Sequence, residues 1–201
     1  MGEITPRGRT LSEEPPIVLG VTGASGAPIA LAVLRALAEA HRRVALVVSG
    51  GAESVIREEC SVPAAEWDGL ASVRYPDTDL AAPIASGSRP TAGMAIVPCS
   101  GNTAAKVALG LSDTLITRAA AVHLKEHRRL VLVPRETPLP VPLLRHLTSL
   151  AELGVAIVVA APPYYTHPRS VDDMTDYIAG KVLDQLGVPH HLYRGWRAEV
   201  K

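Results

Sequence analysis

Phenylalanine is absent from this 201-residue chain, and two Trp and five Tyr are its whole aromatic complement. Any sizeable core must then be aliphatic, and a Tyr or Trp beside a candidate site gains weight. Cysteine is scarce too. Cys60 and Cys99 are too few for a disulfide framework and lack the spacing of a metal site, which suits a reducing cytoplasm. Neither sign of charge dominates, because 20 Lys and Arg balance 20 Asp and Glu. No overall field would recruit nucleic acid or an anionic membrane. No apolar run nears the roughly 20 residues that span a bilayer. Residues 1–16 lack the apolar stretch of a signal peptide and read as a disordered tail.

What is present is 47% hydrophobic against 20% charged residues, the balance of a globular chain long enough for one domain. From residue 17 the pattern alternates. Apolar runs at 17–22, 44–49, 94–98, 130–133 and 155–159 read as strands buried on both faces. Helical stretches fall near 28–40, 52–59, 143–153 and 171–186, and another opens after Ser100. Pro28 is tolerated because it sits in a first helical turn. The stretch 67–89 is irregular. Such alternation predicts a single-domain α/β fold, a Rossmann-like doubly wound parallel sheet with helices on both faces.

In such sheets ligands bind beyond the carboxyl ends of the strands, and three segments fall there. Gly20-Val21-Thr22-Gly23-Ala24-Ser25-Gly26 joins the first strand to the first helix. Its glycines permit close backbone approach, and the helix N-terminus offers N–H groups to a phosphate. The spacing is neither the dinucleotide fingerprint nor a nucleotide-triphosphate loop. Pro98-Cys99-Ser100-Gly101-Asn102-Thr103 repeats that geometry with small polar side chains. Cys99 reads as a small core residue. Arg135 and Glu136 follow the 130–133 strand, kept off any helix by Pro134 and Pro138. They set an anion-binding group beside a proton-transfer group. Arg118 is a lone cation in an apolar helix, and burial would require it to have a partner. Tyr164-Tyr165 ends the last strand, and His190-His191 reads as a surface pair without acidic neighbours.

These segments together resemble the flavin prenyltransferases (UbiX family), within the FMN-binding, homo-oligomeric Rossmann-like flavoproteins. The resemblance spans residues 17–196, leaving 197–201 as a C-terminal tail. It is carried by Thr22-Gly23-Ala24-Ser25-Gly26-Ala27, Ala85-Ser86-Gly87-Ser88, Pro98-Cys99-Ser100, Leu115-Ile116-Thr117-Arg118-Ala119-Ala120, Leu124-Lys125-Glu126, the 130–138 stretch and Tyr165. It implies transfer of a dimethylallyl group from dimethylallyl phosphate to N5 and C6 of reduced FMN, with the product passed to a UbiD-type decarboxylase. A dodecamer, a cytoplasmic location and the absence of any metal are implied likewise. By resemblance, Gly23, Ala24, Ser25, Ser49, Ser100, Gly101, Asn102, Thr103 and Arg135 hold FMN. Tyr165, Lys181, Ser86, Gly87 and Trp196 hold the prenyl donor. Glu59, Glu136, Lys125 and Arg118 serve the chemistry.

The chain also departs from the family pattern. Lys181 stands where the family usually has arginine, which keeps the charge but loses the bidentate fork. Ala121 replaces an aspartate, Tyr164 replaces Phe, and His123 and His127 are unusual in their run. Two other readings fit the same residues. One is an FMN-dependent cysteine decarboxylase, a class that uses a histidine in the early helical region, where this chain offers His41 alone. The other is a carrier subunit that binds FMN or prenylated FMN without turnover.

Overall fold

The computed structural model describes residues 14–195. Among them the strands are β1 Ile17–Val21, β2 Val44–Val48, β3 Val73–Pro76, β4 Gly93–Cys99, β5 Leu130–Pro134 and β6 Ala156–Ile157. The helices are α1 Ala27–Glu39, α2 Gly50–Glu59, α3 Ala64–Leu70, α4 Gly101–Ala108, α5 Leu115–Lys125, α6 Val141–Glu152 and α7 Val171–Leu186. All strand pairs are parallel, and the sheet order is β3-β2-β1-β4-β5-β6. The order reverses between β1 and β4, which makes their carboxyl ends the topological switch point.

Every residue of β1, β2, β4 and β5 is buried. Alternate side chains therefore feed two cores. Ile17, Leu19 and Val21 join α1 and α7 on one face, while Val18, Met94, Ile96 and Leu132 join α4, α5 and α6 on the other. Burying one such aliphatic contributes roughly 1.5–3 kcal/mol, so these runs hold the sheet without a single Phe. The helices start at polar caps. Ser170 with Asp173 and Thr114 with Thr117 form capping boxes for α7 and α5, and α7 stops at Gly187, with φ of 70°.

Three details differ from the sequence reading. β3 was hidden in the irregular 67–89 stretch, because an edge strand reading Val-Arg-Tyr-Pro, half exposed and paired with β2 alone, carries no apolar run. The last strand pairs over Ala156–Ile157 and not over the whole of 155–159, being an edge that leaves the sheet toward Pro162 and Pro163. Part of the expected tail is tied down: Glu14 pairs with Arg42 at 2.5 Å, and the Pro16 carbonyl accepts from Ala92 N–H at 3.0 Å.

Candidate active site

At the switch point Thr22 joins the two central strands. Its hydroxyl donates to Pro98 O at 2.8 Å and accepts from Ser100 N–H at 2.8 Å. The loops after β1 and β4 are thereby fixed side by side. The loop after β2 closes in from the other side. A Cβ on Gly23 would lie 3.1 Å from the Gly51 carbonyl carbon, so only glycine lets the two backbones meet. Ser49 caps α2 by accepting from Ala52 N–H at 3.2 Å, and Ser100 caps α4 by accepting from Thr103 N–H at 3.2 Å. The N-termini of α2 and α4 thus converge on a crevice of about 370 Å³, lined among others by Gly23, Ser49, Gly51, Asn102 and Thr103. Its positive helix ends and bare backbone fit a phosphate.

The N-terminus of α1 is different, because a side chain already fills it. Glu59, at the end of α2, accepts from Gly26 N–H at 2.7 Å and Ala27 N–H at 2.9 Å. Burial pushes its pKa up, but the Ser25 hydroxyl, those two N–H groups and the Arg135 charge outweigh it, and the carboxyl stays below its usual range. An anionic carboxylate at this terminus repels a phosphate. The helix N-termini that open on the crevice are those of α2 and α4, and Ser25 faces Glu59. The sequence suggested a phosphate seat at α1, where Glu59 now occupies the Gly26 and Ala27 N–H groups.

β5 lies next to β4 and reaches the same end of the sheet. Its register sets Pro134 beside Cys99, so Arg135 stands level with Ser100. Arg135 Nε donates to Ser25 O at 3.2 Å. Glu136, next along the chain, is exposed, and its Oε1 accepts from Thr137 N–H at 3.3 Å. The Cys99 thiol is buried beneath, and burial pushes its pKa well above the ordinary thiol range, so it is no nucleophile.

Other expected site residues lie apart from this crevice. Arg118 is exposed, not buried, and its Nε donates to Ala85 O at 3.3 Å. Lys125 lies two turns further along the exposed stripe of α5 and pairs with Glu126. Ser86 bonds Ser88 at 2.9 Å through their hydroxyls, and a side chain on Gly87 would collide with Lys125 and Glu126. Lys125 ends α5 just before β5 begins, and residues 86–89 precede β4. Both sit toward the amino ends of the strands, while the crevice is at the carboxyl ends.

Tyr165 and Lys181 form a third group. The Tyr165 and Tyr177 hydroxyls are 3.3 Å apart, the Tyr177 ring leans on Tyr193 at 4.7 Å, and Lys181 Nζ donates to Tyr193 OH at 3.3 Å. Tyr165, Tyr177 and Tyr193 line an open cavity of about 630 Å³ with Arg169 and Arg194. Asp184 holds Lys181 at 2.7 Å, and that bond is the main reason the ammonium's pKa is raised. Asp184 also accepts from His190 at 3.1 Å. His190 is thus tucked against an acid, contrary to the surface pair read from sequence. Trp196 lies outside the described residues. Gly51 and Asp77 line the crevice without having been singled out, and Thr22, quoted only as part of its loop, lines it too. Gly51 could have been noticed, since it follows a strand and opens a helix just as Gly26 does.

Among the described residues no cluster of three or more His, Cys, Asp or Glu is arranged to hold a metal, and no helix is long and apolar enough to cross a membrane. Residues 6–183 match the family model described as Flavoprotein. The flavin prenyltransferase UbiX of Deinococcus radiodurans is 46% identical over 94% of this chain and 96% of its own. AnUbiX (PadA1), solved in complex with FMN and dimethylallyl pyrophosphate, superposes with a TM-score of 0.90 at 37% identity, over 94% of this chain and all of that one. A dodecameric FMN-dependent Ubix-like decarboxylase from Escherichia coli O157:H7 superposes at 0.88 and 42% identity, over 91% of this chain and all of its own.

Proposed function

Because the chain belongs to the Flavoprotein family, we propose that its crevice holds FMN and that the protein is a flavin prenyltransferase. It moves a dimethylallyl group from dimethylallyl phosphate to N5 and C6 of reduced FMN, and the prenylated FMN serves a UbiD-type decarboxylase in the cytoplasm. The observation that carries the reading is the division of the cradle: phosphate-seeking backbone at α2 and α4, and the Ser25–Glu59–Arg135–Glu136 group at the other end. Reduced FMN, when bound, would supply the electron-rich N5 and C6 to which the two ends of the dimethylallyl unit become joined.

The protein's own groups do the rest. Gly23, Ser49, Gly51 and the Ser100–Thr103 turn bind the FMN phosphate and ribityl chain, with Ala24, Gly101 and Asn102 as backbone and amide walls. Arg135 and Ser25 orient the ring. As the allylic C–O bond breaks, negative charge builds on the departing phosphate, and fixed cations stabilise it. Arg118, Lys125 and Lys181 are those cations, with Tyr165, Ser86 and Gly87 around them. One C–N bond forms at N5 and one C–C bond at C6. Glu59, Glu136 and the released phosphate take the two protons displaced there, return one to the alkene carbon so that the ring can close, and leave the other on the phosphate.

Arg118 and Lys125 face outward on α5, away from their own crevice. A second copy must therefore present them, which makes the site a product of a homo-oligomer, with the dodecameric relative as its precedent. Mixed oligomers test this. Lys125→Ala and Glu136→Gln chains, each inactive alone, are expected to recover prenylation in about a quarter of the sites when co-expressed at equal levels. No recovery would mean that one chain supplies both groups. The cysteine-decarboxylase reading loses its histidine, because His41 follows the far end of α1 with φ of 55° and lies away from the crevice.

A further inference from the structure

His123 has no exposed surface, and of its two hydrogen bonds one stays within α5 while the other leaves the helix and leads outward. Its Nδ1 lies 2.7 Å from Ala119 O. A carbonyl can only accept, so Nδ1 carries the proton, and Nε2 of the neutral ring is an acceptor. The group facing Nε2, at 2.9 Å, is the Thr91 hydroxyl, which must then donate. With its proton committed, the Thr91 oxygen accepts from Arg128 Nη1 at 3.3 Å. Arg128 in turn donates to Arg89 O at 2.9 Å and to Gly87 O at 2.6 Å.

The result is a one-way chain of donors from Arg128 through Thr91 to the buried ring, and it ends on the carbonyls of the 86–89 loop. Arg118 holds the same loop one step earlier, at Ala85 O. We propose that His123 is a positioning residue that fixes, through Thr91 and Arg128, the shape of the Ser86–Ser88 loop receiving the prenyl donor's phosphate. This rests on the prenyl-transfer reading above.

The chain holds only while the ring is neutral. Burial, the largest influence, lowers the His123 pKa below its usual value, and the Arg128 charge lowers it further. The Ala119 carbonyl and the Gly93 backbone pull the other way without reversing the shift. Protonation would put a proton on Nε2, so the Thr91 hydroxyl would have to turn its own proton away and accept from the ring, beside the Arg128 cation. The folded pKa is depressed, so the ring's contribution is intact above about pH 6.5 and is lost as the pH falls through the folded value.

Thr91→Val and Thr91→Ser in the full-length oligomer provide the test, read as prenylated FMN formed anaerobically against dimethylallyl phosphate concentration. Valine keeps the shape and deletes the relay. The KM for the donor is expected to rise about tenfold, with kcat at saturating donor and FMN affinity unchanged, and serine should restore it. The wild-type KM should climb as the pH is lowered below about 6.5, while that of Thr91→Val stays flat. Amide exchange at 86–91 should be faster in the valine variant than in the serine one. An unchanged KM, equal exchange, or a parallel loss of kcat and FMN binding would overturn the positioning role. A wild-type protein that binds FMN and never prenylates it would instead remove the underlying reading, and this inference with it.

Discussion

Glu136→Gln is expected to bind FMN as the wild type does and to form prenylated flavin about 10²–10⁴-fold more slowly. Glutamine keeps the side chain's length and can still accept from Thr137 N–H through its amide oxygen. Nothing in the fold depends on the charge, since Glu136 stands exposed beyond the end of β5. Arg135, its neighbour, braces the β1–α1 loop through Ser25 O and is left in place. Only proton transfer should be lost. FMN content by absorbance and product by mass spectrometry check the two halves separately. Turnover at the wild-type rate would remove this carboxylate from the reaction and leave Glu59 and the released phosphate to take the protons.

Ser49→Asp should abolish FMN binding at ordinary concentrations. Aspartate caps a helix as well as serine does, so α2 should still start where it does. The new carboxylate would stand where the crevice meets the converging ends of α2 and α4, against the ligand's phosphate. Two like charges about 4 Å apart, in surroundings of effective dielectric about 20, repel by about 4 kcal/mol, which is roughly a thousandfold in affinity. Ser49→Asn, of the same shape without the charge, should retain the flavin. Equal FMN affinity in the two variants, measured by fluorescence titration, would place the phosphate elsewhere in the crevice.

How far the sequence carried depends on the reach of each interaction. The central strands were readable because burial on both faces leaves continuous aliphatic runs, and the cradle was readable because glycines and small polar residues follow those runs directly. β3 was not, because an edge strand answers to one neighbour and shows no run. The assignment of Arg118 to the interior failed for a related reason: Leu115, Ile116, Ala119 and Ala120 mark α5 as apolar, but Arg118 falls on the stripe that faces out. The contacts of Glu59 could not be read from the residues themselves, although the resemblance implied that it serves the chemistry. Its contacts cross 32 and 33 residues, and no local pattern announces that the end of α2 will close the start of α1. His123 and Thr91 are likewise 32 residues apart. Propensity and periodicity see neighbours along the chain, and the site is made of neighbours across it.

Anaerobic incubation of the purified protein with reduced FMN and dimethylallyl phosphate, followed by the mass of the released flavin, tests the central claim most directly. The flavin should gain one C5H8 unit with release of phosphate, which would also show that Lys181 serves in place of the usual arginine. Folded protein that returns unmodified FMN, with the monophosphate and the diphosphate donor alike, would contradict the transferase and leave a flavin carrier in its place.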